Sequence, residues 1–267
     1  MSSHNSKILH FFQTISNGIK IHYAKIGNGK TNIVMIHGWG MTWKTWEKFM
    51  LNMDQNKFTL IAIDLIGFGD SDKPSLDYNI RDFSSKLFDS ITRLDLDNYI
   101  LMGHSMGVTV CMDAIFNLNL NPDGVVFVDS GVRSANSTSE IISKLQESDI
   151  LGEVIHGILR KFFLNIEDTD LAIFTEETTK SPLSILIKAL IGISSFDFSA
   201  HLPKLRVPAL IIYGQYDRNR SIEEALLMKS LINESLLDVI DSSAHCPMFE
   251  HTEKFIESFL RWYNSSF

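Results

Sequence analysis

The amino-acid sequence predicts an α/β fold: a mostly parallel sheet with helices on both faces. Three observations carry this expectation. Short runs of β-branched and apolar residues recur along the chain, turn chemistry bounds each of them, and stretches of helical period separate them. Runs of near-continuous apolarity suit strands covered on both faces. Alternation of strand and helix gives parallel neighbours joined by right-handed crossovers.

Taken in order, residues 11–14 and 20–24 flank Asn17-Gly18, the dipeptide of tight hairpin turns, so an antiparallel hairpin is expected at the sheet edge. Residues 32–36 form the next strand-like run. Helical period follows at 43–52, then a strand at 59–63, a helix at 80–94, a strand at 99–102, a helix at 106–118 and a strand at 125–128. The pattern breaks between Val132 and Ala200. Four helical segments replace it, at 139–146, 152–163, 169–179 and 182–193. Residues 132–200 are therefore expected to be a helical cap inserted into a core domain made of 1–131 and 201–267. Strand-like sequence resumes after Arg206-Val207-Pro208, at 209–213 and 236–240. A closing amphipathic helix is expected at 253–263, with Phe255, Phe259 and Leu260 inward.

Bulk composition narrows the function. The 267 residues are 45% hydrophobic and 21% charged, as in ordinary globular proteins. A net charge of −8, with no Lys/Arg run, argues against a nucleic-acid partner, whose recognition needs clustered cations. Cys111 and Cys246 form no disulfide framework and carry no metal-ligand spacing, so a reducing compartment, no metal and no redox cofactor are expected. The polar start Met1-Ser2-Ser3-His4-Asn5-Ser6-Lys7 is unlike a secretory signal. The apolar stretch 182–196 is interrupted by Lys188 and falls short of the roughly 20 residues that cross a bilayer. A cytoplasmic protein with a small-molecule partner is expected.

Gly103-His104-Ser105-Met106-Gly107 matches G-x-S-x-G at the point where a strand gives way to a helix. In such an elbow the serine backbone is strained and the flanking positions must be glycine, because side chains there would collide. A serine hydroxyl needs a base, and the base needs a carboxylate to hold its tautomer. His245, on the loop after the last apolar run, is the expected base, since open α/β sheets place their sites at the carboxyl ends of strands. His4, His10, His22, His156 and His201 read as surface or structural, and His251 as a solvated helix start. Asp217, after the strand at 209–213, is the preferred acid. Asp129, after the strand at 125–128, is the alternative: it either approaches the same imidazole or anchors its own loop. The Met106 N–H, just after the nucleophile, and the Trp39 N–H in His37-Gly38-Trp39-Gly40 are the expected oxyanion donors, each worth about 3 kcal/mol in comparable sites. The Trp39 indole reads equally as pocket wall or core packing.

Gly67-Phe68-Gly69 lacks the third glycine of a dinucleotide fingerprint, and Asp70-Ser71-Asp72 after it would repel a pyrophosphate, so it reads as a structural loop.

Five segments in order resemble the α/β-hydrolase family, in its small esterase and C–C hydrolase branch. They are His37-Gly38-Trp39-Gly40, Asp64-Leu65-Ile66-Gly67-Phe68-Gly69-Asp70-Ser71, Gly103-His104-Ser105-Met106-Gly107, Gly214-Gln215-Tyr216-Asp217 and Ala244-His245-Cys246-Pro247. The resemblance implies an eight-stranded sheet, a helical cap after the sixth strand, and a Ser105, Asp217, His245 triad. It implies a serine esterase acting on small, largely apolar carboxylic esters, with C–C bond or lactone hydrolysis as the alternative. Ser105 at the elbow disfavours the relatives with an Asp nucleophile, the haloalkane dehalogenases and epoxide hydrolases. Val108 departs from the pattern, standing where many members have glycine. From a different class, the alternative is a receptor that keeps the fold and binds an apolar ligand without turnover.

Overall fold

A computed structural model describes residues 8–134, 138–147 and 150–267. Eight strands form one sheet in the order β1-β2-β4-β3-β5-β6-β7-β8. β1 (Leu9–Thr14) and β2 (Lys20–Ile26) are the antiparallel edge hairpin. In its turn Asn17 and Gly18 both take positive φ, 61° and 73°, which explains why this dipeptide stands there. β2 runs antiparallel to β4 (Phe58–Ile63). From there β3 (Thr31–Ile36), β5 (Tyr99–His104), β6 (Gly124–Val128), β7 (Ala209–Gly214) and β8 (Ser235–Ile240) continue the sheet with parallel pairings.

Every residue of β4, β5, β6 and β7 is buried, as two-sided covering requires. β8 departs from that expectation. Leu236 and Val239 are 45% and 43% exposed, because β8 closes the sheet with a strand neighbour on one side only.

Two short helical pieces occupy the segment expected as one helix: a 3₁₀ turn at Trp43–Trp46 and α1 (Glu47–Asn52). α2 (Ile80–Leu94) starts in a capping box, where the Asn79 carboxamide accepts from the Asp82 N–H at 3.0 Å and the Asp82 carboxylate accepts from the Asn79 N–H at 3.3 Å. α3 (Met106–Leu118) follows β5 directly. Four helices lie between β6 and β7: α4 (Thr138–Glu147), α5 (Leu151–Arg160), α6 (Asp168–Thr179) and α7 (Leu183–Gly192). α8 (Ile222–Leu231) connects β7 to β8, α9 (Pro247–Glu250) is a single turn, and α10 (Thr252–Ser266) closes the chain. In α10 Phe255 and Phe259 point inward as expected. Leu260 is only half-buried, and Trp262 takes the next fully buried position.

The inserted helices leave and re-enter the sheet side by side. Arg133 pairs with Asp197 in an antiparallel bridge, Ser134 N–H donates to Phe196 C=O at 3.0 Å, and Phe198 N–H donates to Val132 C=O at 2.9 Å. Among the described residues no helix is long and apolar enough to cross a membrane.

Candidate active site

Four loops at the carboxyl ends of successive strands converge: those after β5, β6, β7 and β8. Ser105 stands between β5 and α3 with φ 50° and ψ −115°, a conformation that non-glycine residues hold only under constraint. The constraint is steric. A Cβ on Gly103 would lie 2.8 Å from Val108 Cα, and one on Gly107 would lie 2.4 Å from Ile36 O, so neither flank tolerates a side chain. Val108, the departure from the family pattern, is itself fully buried against Gly103. The Ser105 N–H donates to Val128 C=O at 2.9 Å and the Ser130 hydroxyl donates to Ser105 C=O at 3.2 Å, which ties the elbow to the β6 end.

His245 Nδ1–H donates to Asp217 Oδ2 at 2.7 Å, with both side chains almost wholly withdrawn from solvent. That bond commits Nδ1 and leaves Nε2 as the nitrogen free to take a proton. Asp217 Oδ1 accepts from the Asn219 N–H at 2.7 Å and the Arg220 N–H at 3.3 Å. His245 is held on both sides of its own backbone: its N–H donates to Phe162 C=O at 2.9 Å and its C=O accepts from His104 Nε2–H at 2.7 Å. The Phe162 ring meets the imidazole edge-on at 5.2 Å and the His104 ring lies 4.9 Å away. The Ser105 hydroxyl makes no hydrogen bond to His245 in this conformation, and the residue before it, His104, is the direct contact.

Asp129 also reaches this cluster. Asp129, Asp217 and His245 each place an oxygen or nitrogen within 4.8 Å of the other two. Asp129 Oδ1 accepts from the Gly214 N–H at 2.8 Å, however, and the imidazole bond goes to Asp217. The second such group is His22, Asp64 and Asp70. There His22 Nδ1–H donates to Asp64 at 2.7 Å, and Asp64 also accepts from the Trp43 and Asp70 N–H groups, so the cluster ties the edge hairpin to two loops. In the second group the other imidazole nitrogen is engaged as well, His22 Nε2 lying 3.1 Å from His10 Nδ1.

On the other side of Ser105 lies the loop after β3. A Cβ on Gly38 would come within 2.7 Å of His104 Nδ1 and 3.2 Å of Ser105 Cβ, so this backbone passes directly over the elbow. Neither the Trp39 N–H nor the Met106 N–H has a backbone acceptor among the described residues. The Trp39 indole does more than fill space: its N–H donates to Leu186 C=O on α7 at 2.9 Å, linking this loop to the inserted helices.

Sequence reasoning missed three supporting residues. His37 donates from Nδ1 to Gly38 C=O at 2.8 Å and accepts from the Leu65 N–H at Nε2 at 3.0 Å, and burial holds its pKa below the usual imidazole range. Burial, with the His245 ring beside it, depresses His104 further, so it serves as a neutral donor. Glu250 binds the N–H groups of Leu164, Asn165 and Ala244 and the Ser243 hydroxyl. Only the position of His37 and His104 inside their motifs could have singled them out. Of the histidines read as surface or structural, His22 is buried, and His4 lies outside the described residues. His251 donates to Ser242 C=O at 2.7 Å.

The match of residues 33–258 to the alpha/beta hydrolase family shows that the chain belongs to that family. Its relatives include a Synechocystis sp. protein assigned as a non-heme chloroperoxidase, 29% identical over 266 residues that span 88% of this chain and 92% of that one. Among solved structures it is similar to an esterase from Exiguobacterium antarcticum, with a TM-score of 0.87 and 23% identity over 95% of this chain and 99% of that one. A bromoperoxidase from Bacillus anthracis gives a TM-score of 0.88 and 22% identity over 96% of this chain and 100% of that one.

Proposed function

We propose that this hydrolase-family member is a serine esterase that cleaves small, largely apolar carboxylic esters through an acyl-enzyme. The observation that carries the reading is the buried 2.7 Å bond from His245 to Asp217, on the same sheet rim as a serine in a strained elbow. In this reading His245 Nε2 takes the Ser105 proton as the oxygen attacks the acyl carbon. Asp217 stabilises the imidazolium without itself taking the proton. The Trp39 and Met106 N–H groups receive the oxyanion. His245 then protonates the departing alcohol, and water repeats the sequence to release the acid. The inserted helices act as a cap: Phe162 against His245 and Leu186 bonded to Trp39 place apolar chain beside the reacting centre, which suits an apolar substrate.

The likeness to an Exiguobacterium antarcticum esterase supports the ester reading. A relative named as a 2-hydroxy-6-oxononadienedioate hydrolase of Pseudomonas putida, 23% identical over 260 residues, makes C–C hydrolysis the second assay to run. The decisive experiment combines a p-nitrophenyl acyl ester series with a fluorophosphonate probe. Turnover and labelling are expected, with both lost in Ser105→Ala. Failure of turnover and of labelling alike would leave a non-catalytic ligand receptor as the better reading.

A further inference from the structure

Resting on the reading of Ser105, His245 and Asp217 as the catalytic groups, we propose that Asp129 is a positioning residue: a neutral carboxylic acid that donates a hydrogen bond to Asp217. Two carboxyl groups, one from the end of β6 and one from the end of β7, meet in a site closed to water. Like charges so placed do not both ionise, so one group keeps a proton.

Which one keeps it follows from their partners. Asp217 accepts three bonds, from His245 Nδ1, the Asn219 N–H and the Arg220 N–H, which is the environment of an anion. Asp129 accepts one, at Oδ1 from the Gly214 N–H, and its Oδ2 is buried with no partner. A buried carboxylate oxygen with no donor is costly. The same oxygen carrying a proton becomes a donor, and the neighbouring Asp217 carboxylate is the acceptor within reach. The groups that face Asp129 offer no fixed positive charge to stabilise its anion: Asp217 and Tyr213 from β7 and its loop, His245, Cys246 and Glu250 from beyond β8. Burial first, and Asp217 second, push the Asp129 carboxyl well above the usual carboxylate range. The backbone is committed to this placement as well, since Asp129 holds φ 44°, in the left-handed region.

The consequence reaches the base. A proton donated to Asp217 fixes its carboxylate plane, so the oxygen that accepts from His245 Nδ1–H is held in place. It also leaves one negative charge behind the imidazole rather than two.

Asp129→Asn tests this directly. The carboxamide is neutral and of the same shape, its oxygen still accepts from Gly214, and its NH₂ replaces the acid as donor. The expected result is kcat/KM within about threefold of wild type and an unmoved acid limb of the pH profile, while Asp129→Ala loses tenfold or more, on the order of one lost hydrogen bond to a charge. An ionised Asp129 predicts otherwise: its replacement by Asn would remove a charge beside His245 and move the acid limb to lower pH by about a unit, which overturns the proposal. Infrared difference spectroscopy gives a readout independent of turnover. At neutral pH the wild type should show the C=O stretch of a protonated carboxylic acid, shifted in D₂O and absent from Asp129→Asn; a wild-type spectrum without that band overturns the proposal. Activity surviving in Ser105→Ala would instead sink the esterase mechanism, and the infrared band would still report on Asp129.

Discussion

His104 Nε2–H donates to the carbonyl oxygen of His245 at 2.7 Å, so the residue before Ser105 holds the backbone of His245. The two residues are 141 positions apart in sequence. This bond couples the elbow after β5 to the loop after β8, and a neutral imidazole makes it. His104→Phe keeps a ring but leaves the His245 carbonyl buried and unpaired, at a cost of about 1–3 kcal/mol. We expect a lower Tm and a kcat reduced about tenfold with KM little changed, measured by thermal unfolding and ester hydrolysis. A kcat equal to wild type would mean that His245 is positioned without this bond.

Gly38→Ala examines the opposite wall. The added methyl would sit 2.7 Å from His104 Nδ1 and 3.2 Å from Ser105 Cβ, both in well-packed surroundings, so the backbone carrying the Trp39 N–H must retreat. In the proposed mechanism the Trp39 N–H receives the oxyanion, and loss of one such donor costs about 10² in kcat. We expect that loss, together with slower fluorophosphonate labelling of Ser105, and only a modest fall in stability.

The acid is settled by exchanging the two candidates. Asp217→Ala removes the partner of His245 Nδ1 and should lower kcat by about 10⁴, the magnitude of losing the tautomer-holding acid. Asp129→Ala should cost far less. Equal losses, or a larger loss at Asp129, would reassign the role.

Much of this was legible in the sequence because it is local. The apolar runs of β3 to β7 depend on residues a few positions apart, and the elbow announces itself within five residues. α8 escaped detection because its period is blurred: Ile222, Ala225, Leu226, Leu227, Met228 and Leu231 spread around the helix, and Leu226 is 53% exposed. The openness of β8 was hidden for the opposite reason. Its apolar run looks like a covered strand, and only the strand order reveals it as an edge. Glu250 and the Asp129–Asp217 contact were invisible, and His104 was marked only by its place in the elbow motif, because each works by meeting residues from a distant element.

Stability should depend on pH through two of the buried histidines, His37 and His104. Burial depresses His37 and His104 in the folded state, whereas unfolded imidazoles titrate near about 6.5. Below that pH the unfolded chain binds more protons than the folded one. Stability therefore rises with pH up to the unfolded value and is lost as pH falls beneath it, by up to about 1.4 kcal/mol per pH unit for each group. His104→Gln should flatten the acid side of the Tm profile between pH 5 and about 6.5. An unchanged slope would show that His104 is charged in the folded protein.

Glu250 ties the segment after α5 to the loop that carries His245. Its Oε1 accepts from the Leu164 N–H at 2.6 Å and the Asn165 N–H at 3.1 Å, and its Oε2 accepts from the Ala244 N–H at 2.8 Å and the Ser243 hydroxyl at 3.1 Å. Four donors on one carboxylate make the charge itself the clamp, since bonds to an ionised acceptor are about twice as strong as neutral ones. Glu250→Ala leaves three amides unpaired and should cost about 3 kcal/mol, with a lower kcat as Ala244 and His245 shift. Glu250→Gln is nearly as harmful for a stated reason: its oxygen can serve one pair of donors, but its NH₂ then faces the other pair, donor against donor. Tm and kcat of the Gln variant should fall between wild type and Ala. A Gln variant indistinguishable from wild type would show that the charge at position 250 does not hold the two segments together.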